Sequence, residues 1–275
     1  METGSLKTAV TAALRAAGLL PAAESVLRAR AVRRCADENR AFAAAHPGFT
    51  PPPPDLLYET ATHASFDQYR RTGGEICRAL SQRAAAARAE HGDGPVRDIL
   101  DWGAGVMRVA RWWSEVAPDA RITVAEPEPR AMDWARAALP RIDQIACPMQ
   151  PPLPAEAASF DLIYGVSILT HMPLAEQPGW IAELTRLARP GGLIALTVHG
   201  ARAAASLSPA EQAQWARGEP VERGRVRRGS RLYAAYMPEA FLRERLFAGL
   251  EIVLAEADSP AANGGQDLWL LRKPA

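Results

Sequence analysis

Across 275 residues the chain is 48% hydrophobic and 23% charged, with 32 basic against 31 acidic side chains, the make-up of a folded globular protein with room for one large domain and an appendage. A formal net charge of +1 supplies no global field to draw it onto nucleic acid or an anionic membrane, and its apolar runs fall short of the roughly 20 residues of a membrane span. Cys35, Cys77 and Cys147 are odd in number, widely spaced and without metal-ligand spacing, so neither a disulfide framework nor a metal site is expected.

Residues 1–65 read as a helical extension followed by a proline-rich linker. Apolar side chains recur at helical spacing (Leu6, Val10 and Leu14, then Val26, Leu27, Ala31 and Phe42), with Pro21 between two helices. Arg15 breaks the apolar stretch near the amino terminus, which argues for an amphipathic helix of a cytoplasmic protein rather than a signal peptide. The string HPGFTPPPP (46–54) should run extended, because each proline fixes φ and removes a donor. A helix follows from Phe66 through Tyr69, Ile76, Leu80 and Ala84, with Gly73-Gly74 suggesting a bend at its entry.

From residue 95 the pattern changes. Short apolar strands at 96–102, 121–126, 144–147, 160–165 and 192–199 alternate with helices at 106–115, 129–138 and 174–188, the signature of βαβ crossovers and a parallel sheet covered on both faces. After a helix at 238–247, strands at 250–257 and 267–272 are joined only by the turn-rich SPAANGG, so they should pair as an antiparallel terminal hairpin. The segment 201–237 is too long for a plain connection in a compact domain, and it follows a strand end, where an insertion covers a site.

The stretch DILDWGAGVMRVAR (98–111) carries the most chemical information. A strand ends in Asp101 and Trp102, and Gly103 and Gly105 then form a tight turn where a Cβ would block close approach of a ligand to the backbone. Glu126 ends the next strand some twenty residues on, where a carboxylate can accept both hydroxyls of a ribose. Together they outline a nucleoside site.

These residues, with VAEPEPRAMDWA, PPLPAEAASFDLIYG and LARPGGLIALTVHG, resemble the class I S-adenosylmethionine-dependent methyltransferases over about residues 66–275. The resemblance implies a Rossmann-like α/β fold: a seven-stranded, mostly parallel sheet in order 3-2-1-4-5-7-6 with strand seven reversed, helices on both faces and the helical extension in front. It implies S-adenosyl-L-methionine as cofactor and S-adenosyl-L-homocysteine as product. Asp101, Gly103 and Gly105, with Gly73, Ala104 and Pro127 beside them, would contact the cofactor, and Glu126 its ribose. Cys147 and Met149 would border the adenine, and Tyr164, Gly165 and Val166 the sulfonium. Tyr69 would close over the carboxylate end. Where many members carry a third glycine the chain has Met107, expected to lie already within the helix.

A base is needed only if the methyl acceptor must lose a proton. His171 and His199, near the carboxyl ends of two strands, are the candidates, each alternatively a packing residue. Tyr233 and Tyr236 either line an acceptor pocket or pack. Arg228, within the cluster Arg223, Arg225, Arg227, Arg228 and Arg231, either recognises an anionic acceptor or belongs to a solvated loop. Arg108 and Arg111 are expected to face solvent or a neighbouring carboxylate, and Trp112, Trp113 and Trp134 to pack. The reading is a methyltransferase acting on an O or N atom of a small molecule, a secondary metabolite or sugar. No nucleic-acid or membrane partner is expected, and the oligomeric state is left open, a homodimer included. The alternatives are a non-catalytic cofactor-binding protein of the same fold and a nicotinamide-dependent oxidoreductase, which calls for glycine where Arg108 stands.

Overall fold

The computed structural model describes residues 17–224 and 232–274. It contains a seven-stranded sheet whose spatial order, β3-β2-β1-β4-β5-β9-β8, is the one implied by the sequence once two short strands of the inserted segment are set aside. The strands are β1 (Asp98–Trp102), β2 (Arg121–Glu126), β3 (Asp143–Ala146), β4 (Phe160–Gly165), β5 (Ala188–Val198), β8 (Glu251–Glu256) and β9 (Asp267–Arg272). The first five pair in parallel, whereas β9 runs antiparallel to both β5 and β8. Every residue of β4 is buried, as a central strand covered on both faces demands.

Two of the most recognisable strings hold the sheet at its amino-terminal edge. The Asp161 carboxylate, in Ser-Phe-Asp-Leu, accepts from the backbone N–H groups of Arg97 and Asp98 at 2.8 and 3.0 Å. Arg189, in Arg-Pro-Gly-Gly, pairs with both Asp98 and Asp161 at 2.7 and 2.8 Å. These contacts fix the register of β1 against β4 and β5, at the end of the strands opposite their carboxyl edge.

The extension forms α1 (Leu20–Arg34), α2 (Ala36–Ala45) and α3 (Pro54–Ala61), and α4 (Phe66–Glu90) leads into the sheet. Helix α3 was not expected: the last proline of the run starts it, since a missing N–H costs nothing in the first turn. Ser65 caps α4 by accepting from the Gln68 N–H at 3.3 Å. The helix continues without interruption through Gly73 and Gly74, so the expected glycine bend is absent. Its packing explains them: a Cβ on Gly73 would lie 2.0 Å from the Arg108 carbonyl oxygen, where backbone meets backbone.

The helix expected at 106–115 is reduced to a single 3-10 turn, Ala110–Trp112, and the four-residue α5 (Trp113–Val116). Helices α6 (Pro129–Ala138) and α7 (Gln177–Leu187) follow as expected. The inserted segment is ordered into α8 (Ala201–Ala204), α9 (Pro209–Ala216) and a small ribbon of β6 (Val221–Arg223) with β7 (Ala234–Tyr236). After α10 (Glu239–Phe241) the chain widens into a π-turn at Leu242–Leu246 rather than a regular helix. Among the described residues no helix is long and apolar enough to cross a membrane.

Candidate active site

β1 delivers the chain to the carboxyl edge of the sheet at Trp102, and the glycines then carry it across the strand ends. Gly103 and Gly105 have φ of +73° and +56°, the left-handed region that favours glycine. A Cβ on Gly103 would lie 2.2 Å from Ile168 Cδ1, and one on Gly105 would lie 3.1 Å from Thr60 Cγ2 of α3. The extension therefore packs directly on the glycine turn.

Met107, expected inside a helix, has φ of +53° and is wholly buried. An L side chain in that conformation costs on the order of 1 to 2 kcal/mol, offset here by burial in the core. The loop is held open by α4. Tyr69 donates from its hydroxyl to the Val106 carbonyl at 2.7 Å, and Gly73 lets the Arg108 carbonyl seat against the helix, so the loop backbone is tied across the helix instead of winding on.

Glu126 closes the wall opposite. One carboxylate oxygen accepts from the Gly105 N–H at 2.7 Å and the other from the Glu128 N–H at 2.9 Å. Burial raises its pKa, and these two donors oppose the rise. Glu126, Gly103 and Gly105 border a cavity of about 250 Å³. Pro127, Cys147, Met149 and Val166 complete that wall, and Trp102 and Trp180 lie beneath it with ring centroids 5.0 Å apart. The indole N–H of Trp180 is buried without a partner among the described residues.

Residues 99–192 match the family described as methyltransferase domain. The match covers 94 of the 275 residues. Among solved structures, the SAM-bound amino pentose methyltransferase of Micromonospora echinaspora, involved in calicheamicin biosynthesis, is similar at 15% identity and TM-score 0.54, over 76% of this chain and 96% of that one. The Burkholderia thailandensis 1,6-didemethyltoxoflavin-N1-methyltransferase, with 1,6-didemethyltoxoflavin and S-adenosylhomocysteine bound, is similar at 20% identity and TM-score 0.50, over 72% and 79%. At such identities the likeness is one of fold. No curated protein matches the chain.

A second, larger cavity of about 790 Å³ adjoins the first, and the two share Thr60, Ser167 and His171. Its walls come from α4, the segment 61–63, Arg108, the ends of β4 and β5, and the connection between β8 and β9. That connection was expected to be only a hairpin turn. Instead Asn263 and Gln266 donate to the Ser167 hydroxyl at 3.1 and 2.5 Å, which folds the loop over the strand ends.

The structure brings the two candidate histidines together. His171 and His199 stand edge to face with centroids 6.2 Å apart, and both line the larger cavity. His171 Nδ1 lies 2.8 Å from the Tyr233 carbonyl oxygen. A carbonyl accepts only, so Nδ1 is the donor in this contact. Burial, with His171 beside it, pulls the His199 pKa down to about 4, and its buried Nδ1 has no partner among the described residues.

Several expected cofactor contacts take other positions. Tyr69 is fully buried among Phe42, Phe66 and Val106, its hydroxyl already committed, and it reaches neither cavity. Gly73 is likewise a packing glycine. Asp101 and Tyr164 point into the core on the same face of the sheet: Tyr164 donates to Asp101 at 2.7 Å and accepts from the Trp113 indole at 3.1 Å. Burial pushes the Asp101 carboxyl up to about 7, against the Tyr164 hydrogen bond, with the Glu126 charge adding to the rise. Gly165 lies under Trp102, where a Cβ would approach its ring to 2.8 Å, and Ala104 packs against the core.

The expected acceptor residues are also supports rather than walls. Tyr233 is buried, with its hydroxyl donated to Glu222. Tyr236 stacks on His199 at 5.1 Å, and the Arg223 guanidinium covers its ring. Arg225, Arg227, Arg228 and Arg231 lie outside the described residues. Arg111 does not face solvent: it sits 3.7 Å over the Phe49 ring and donates to the Thr50 carbonyl, clamping the linker. Trp113 packs in the core, while Trp112 and Trp134 hold the linker at Phe49 and Pro51. Arg108 turns inward to the larger cavity. Residues such as Thr60, His63 and Asn263 reach the site from distant segments, and no sequence signal marks them.

Proposed function

We propose that this chain transfers a methyl group from S-adenosylmethionine to an O or N atom of a small molecule. The observation that carries the proposal is the Glu126 carboxylate, fixed by two backbone donors at the end of β2 across a glycine turn too tight for a Cβ. The residues present fit the cofactor. The remaining lone pairs of Glu126 suit the two hydroxyls of a ribose, Gly103 and Gly105 line the cavity beside it, and the Cys147–Met149 wall suits the flat apolar face of adenine. When bound, the cofactor supplies an electrophilic methyl group on a sulfonium.

The chain's own work is alignment and water exclusion. His171 lines both cavities with its ring oriented by the Tyr233 carbonyl, and it is the candidate to take a proton from an acceptor hydroxyl or amine. His199, neutral across the physiological range, stands beside it and keeps a second positive charge away. The extension borders the site through Glu59 and Thr60, whereas no described residue of the inserted segment expected to cover it lines either cavity; a secondary metabolite or sugar is the acceptor class of this reading. The protein is read as cytoplasmic, with no nucleic-acid or membrane partner.

Isothermal titration with S-adenosylmethionine and with NAD tests the cofactor. Binding of the first alone supports the reading, and binding of NAD alone replaces it with the oxidoreductase. Transfer of label from methyl-labelled cofactor across a panel of hydroxyl and amine acceptors tests turnover. Cofactor binding without transfer to any of them favours the non-catalytic alternative.

A further inference from the structure

Arg108 is the one feature of the larger cavity that the reading above leaves without a task. Its guanidinium donates to the Thr72 hydroxyl at 3.2 Å and to the Asn263 side-chain carbonyl at 2.5 Å, both uncharged oxygens. Among the described residues it makes no ion pair. A guanidinium carries five N–H donors in a rigid fork, so the two hydrogen bonds leave donors over.

Burial outweighs what the surroundings offer the charge, lowering the pKa of Arg108 despite Tyr69 and Asp101 nearby. Of the acidic residues on the same cavity wall, Glu75 is held by Arg71 and Asp258 by Arg202, each at the exposed rim. Asp101, whose charge reaches Arg108, makes no ion pair with it and is committed to Tyr164 in the core. Two further nitrogens on the wall, Nδ1 of His63 and Nδ1 of His199, are buried without partners among the described residues. A partly buried cation without an ion-pair partner is costly unless a ligand supplies the charge.

We propose, building on the methyltransferase reading, that the methyl acceptor carries an anionic oxygen group, a carboxylate or phosphate, and that Arg108 binds it in the larger cavity. The carboxylate of the cofactor is the other source of such a group. It is a poorer match, because its own ammonium stands on the adjacent carbon and the pair is neutral overall, whereas an unpaired guanidinium attracts net negative charge. The anchored acceptor would share the cavity with His171 and His199.

The test is titration of the protein, saturated with S-adenosylhomocysteine, with benzoate, inorganic phosphate and the uncharged benzamide. An anion is expected to bind roughly tenfold or more tighter than benzamide, the scale of a charge-assisted bidentate contact. Arg108→Gln should abolish that preference while leaving the affinity for S-adenosylhomocysteine within about twofold. Equal binding of benzoate and benzamide, or no anion binding at all, overturns the proposal, and this comparison needs only the wild-type protein. If Arg108→Gln instead weakens S-adenosylhomocysteine itself by about tenfold, the anion site serves the cofactor and the acceptor assignment is wrong. Absence of S-adenosylhomocysteine binding to the wild type would sink the methyltransferase reading instead, and the anion preference is then measured on the protein alone.

Discussion

The two adjoining cavities are built in different ways. The smaller is walled by the ends of β1 and β2, the loop after β3 and the start of the loop after β4, so its shape follows from the sheet. It is largely apolar, with Glu126 fixed by two backbone donors and Glu59 and Glu176 also on its wall. The larger is assembled from α4, the turn after α3, Arg108 and the loop between β8 and β9, and it is rich in nitrogen donors and hydroxyls. A cavity made by strand ends inherits its position from backbone geometry, whereas one made by peripheral segments takes its character from whichever side chains those segments bring. On the proposed reading the first holds what every relative needs and the second selects the acceptor.

The contrast can be broken most severely where the peripheral parts dock. Gly73→Ala places a Cβ 2.0 Å from a backbone carbonyl, and should cost about 3 kcal/mol or more in urea denaturation. Gly48→Ala, with nothing within 4 Å of its Cβ, should be near neutral. Similar losses for both would show that α4 does not press on the glycine loop as described.

Next in size is Glu126→Ala, expected to weaken S-adenosylhomocysteine roughly tenfold to a hundredfold in titration calorimetry, the scale of hydrogen bonds to a charged group. An unchanged affinity removes the ribose assignment.

The larger cavity should also be visible in the pH dependence of stability. Burial lowers both His63 and His199 from 6.5 to about 4. Between those values the unfolded chain binds protons that the folded chain refuses, so stability rises with pH across this window and is lost as pH falls through it. Replacing both residues by Gln should flatten the rise. Asp101 acts in the opposite sense: its folded value of about 7 against 3.8 makes stability fall as pH climbs between the two, and Asp101→Asn should remove that fall. Denaturation at a series of pH values reads both effects, and a double histidine variant with the slope of the wild type would contradict the burial described.

The smallest expected effect is that of Tyr69→Phe. It deletes the hydroxyl that holds the Val106 carbonyl and should cost about 1 kcal/mol in the same denaturation experiment. No loss would mean that the loop is held by packing alone.

The fold was legible because alternation of short strands and helices, a hairpin without a helix between its strands, and the Asp161 and Arg189 strings are local or periodic signals. Gly103, Gly105 and Glu126 were legible for a related reason, since each stands at a fixed offset from a strand end. Asp101 and Tyr164 share those offsets yet face the core, because side chains alternate across a sheet and neither letter reveals its face. Arg108 was placed outward because a regular helix was expected there. The helix is absent because Tyr69 and Gly73, on another segment, hold the loop open.

What the sequence determined by itself, then, is the order of strands and the place of the glycine turn and its distal carboxylate, all of which depend on neighbours in the chain. Only the tertiary structure decided that α3 presses Thr60 onto Gly105, that Asn263 meets Arg108, and that His171 and His199 face a common space. Those contacts join residues far apart in sequence, where burial and hydrogen bonding choose the partners and no spacing records them.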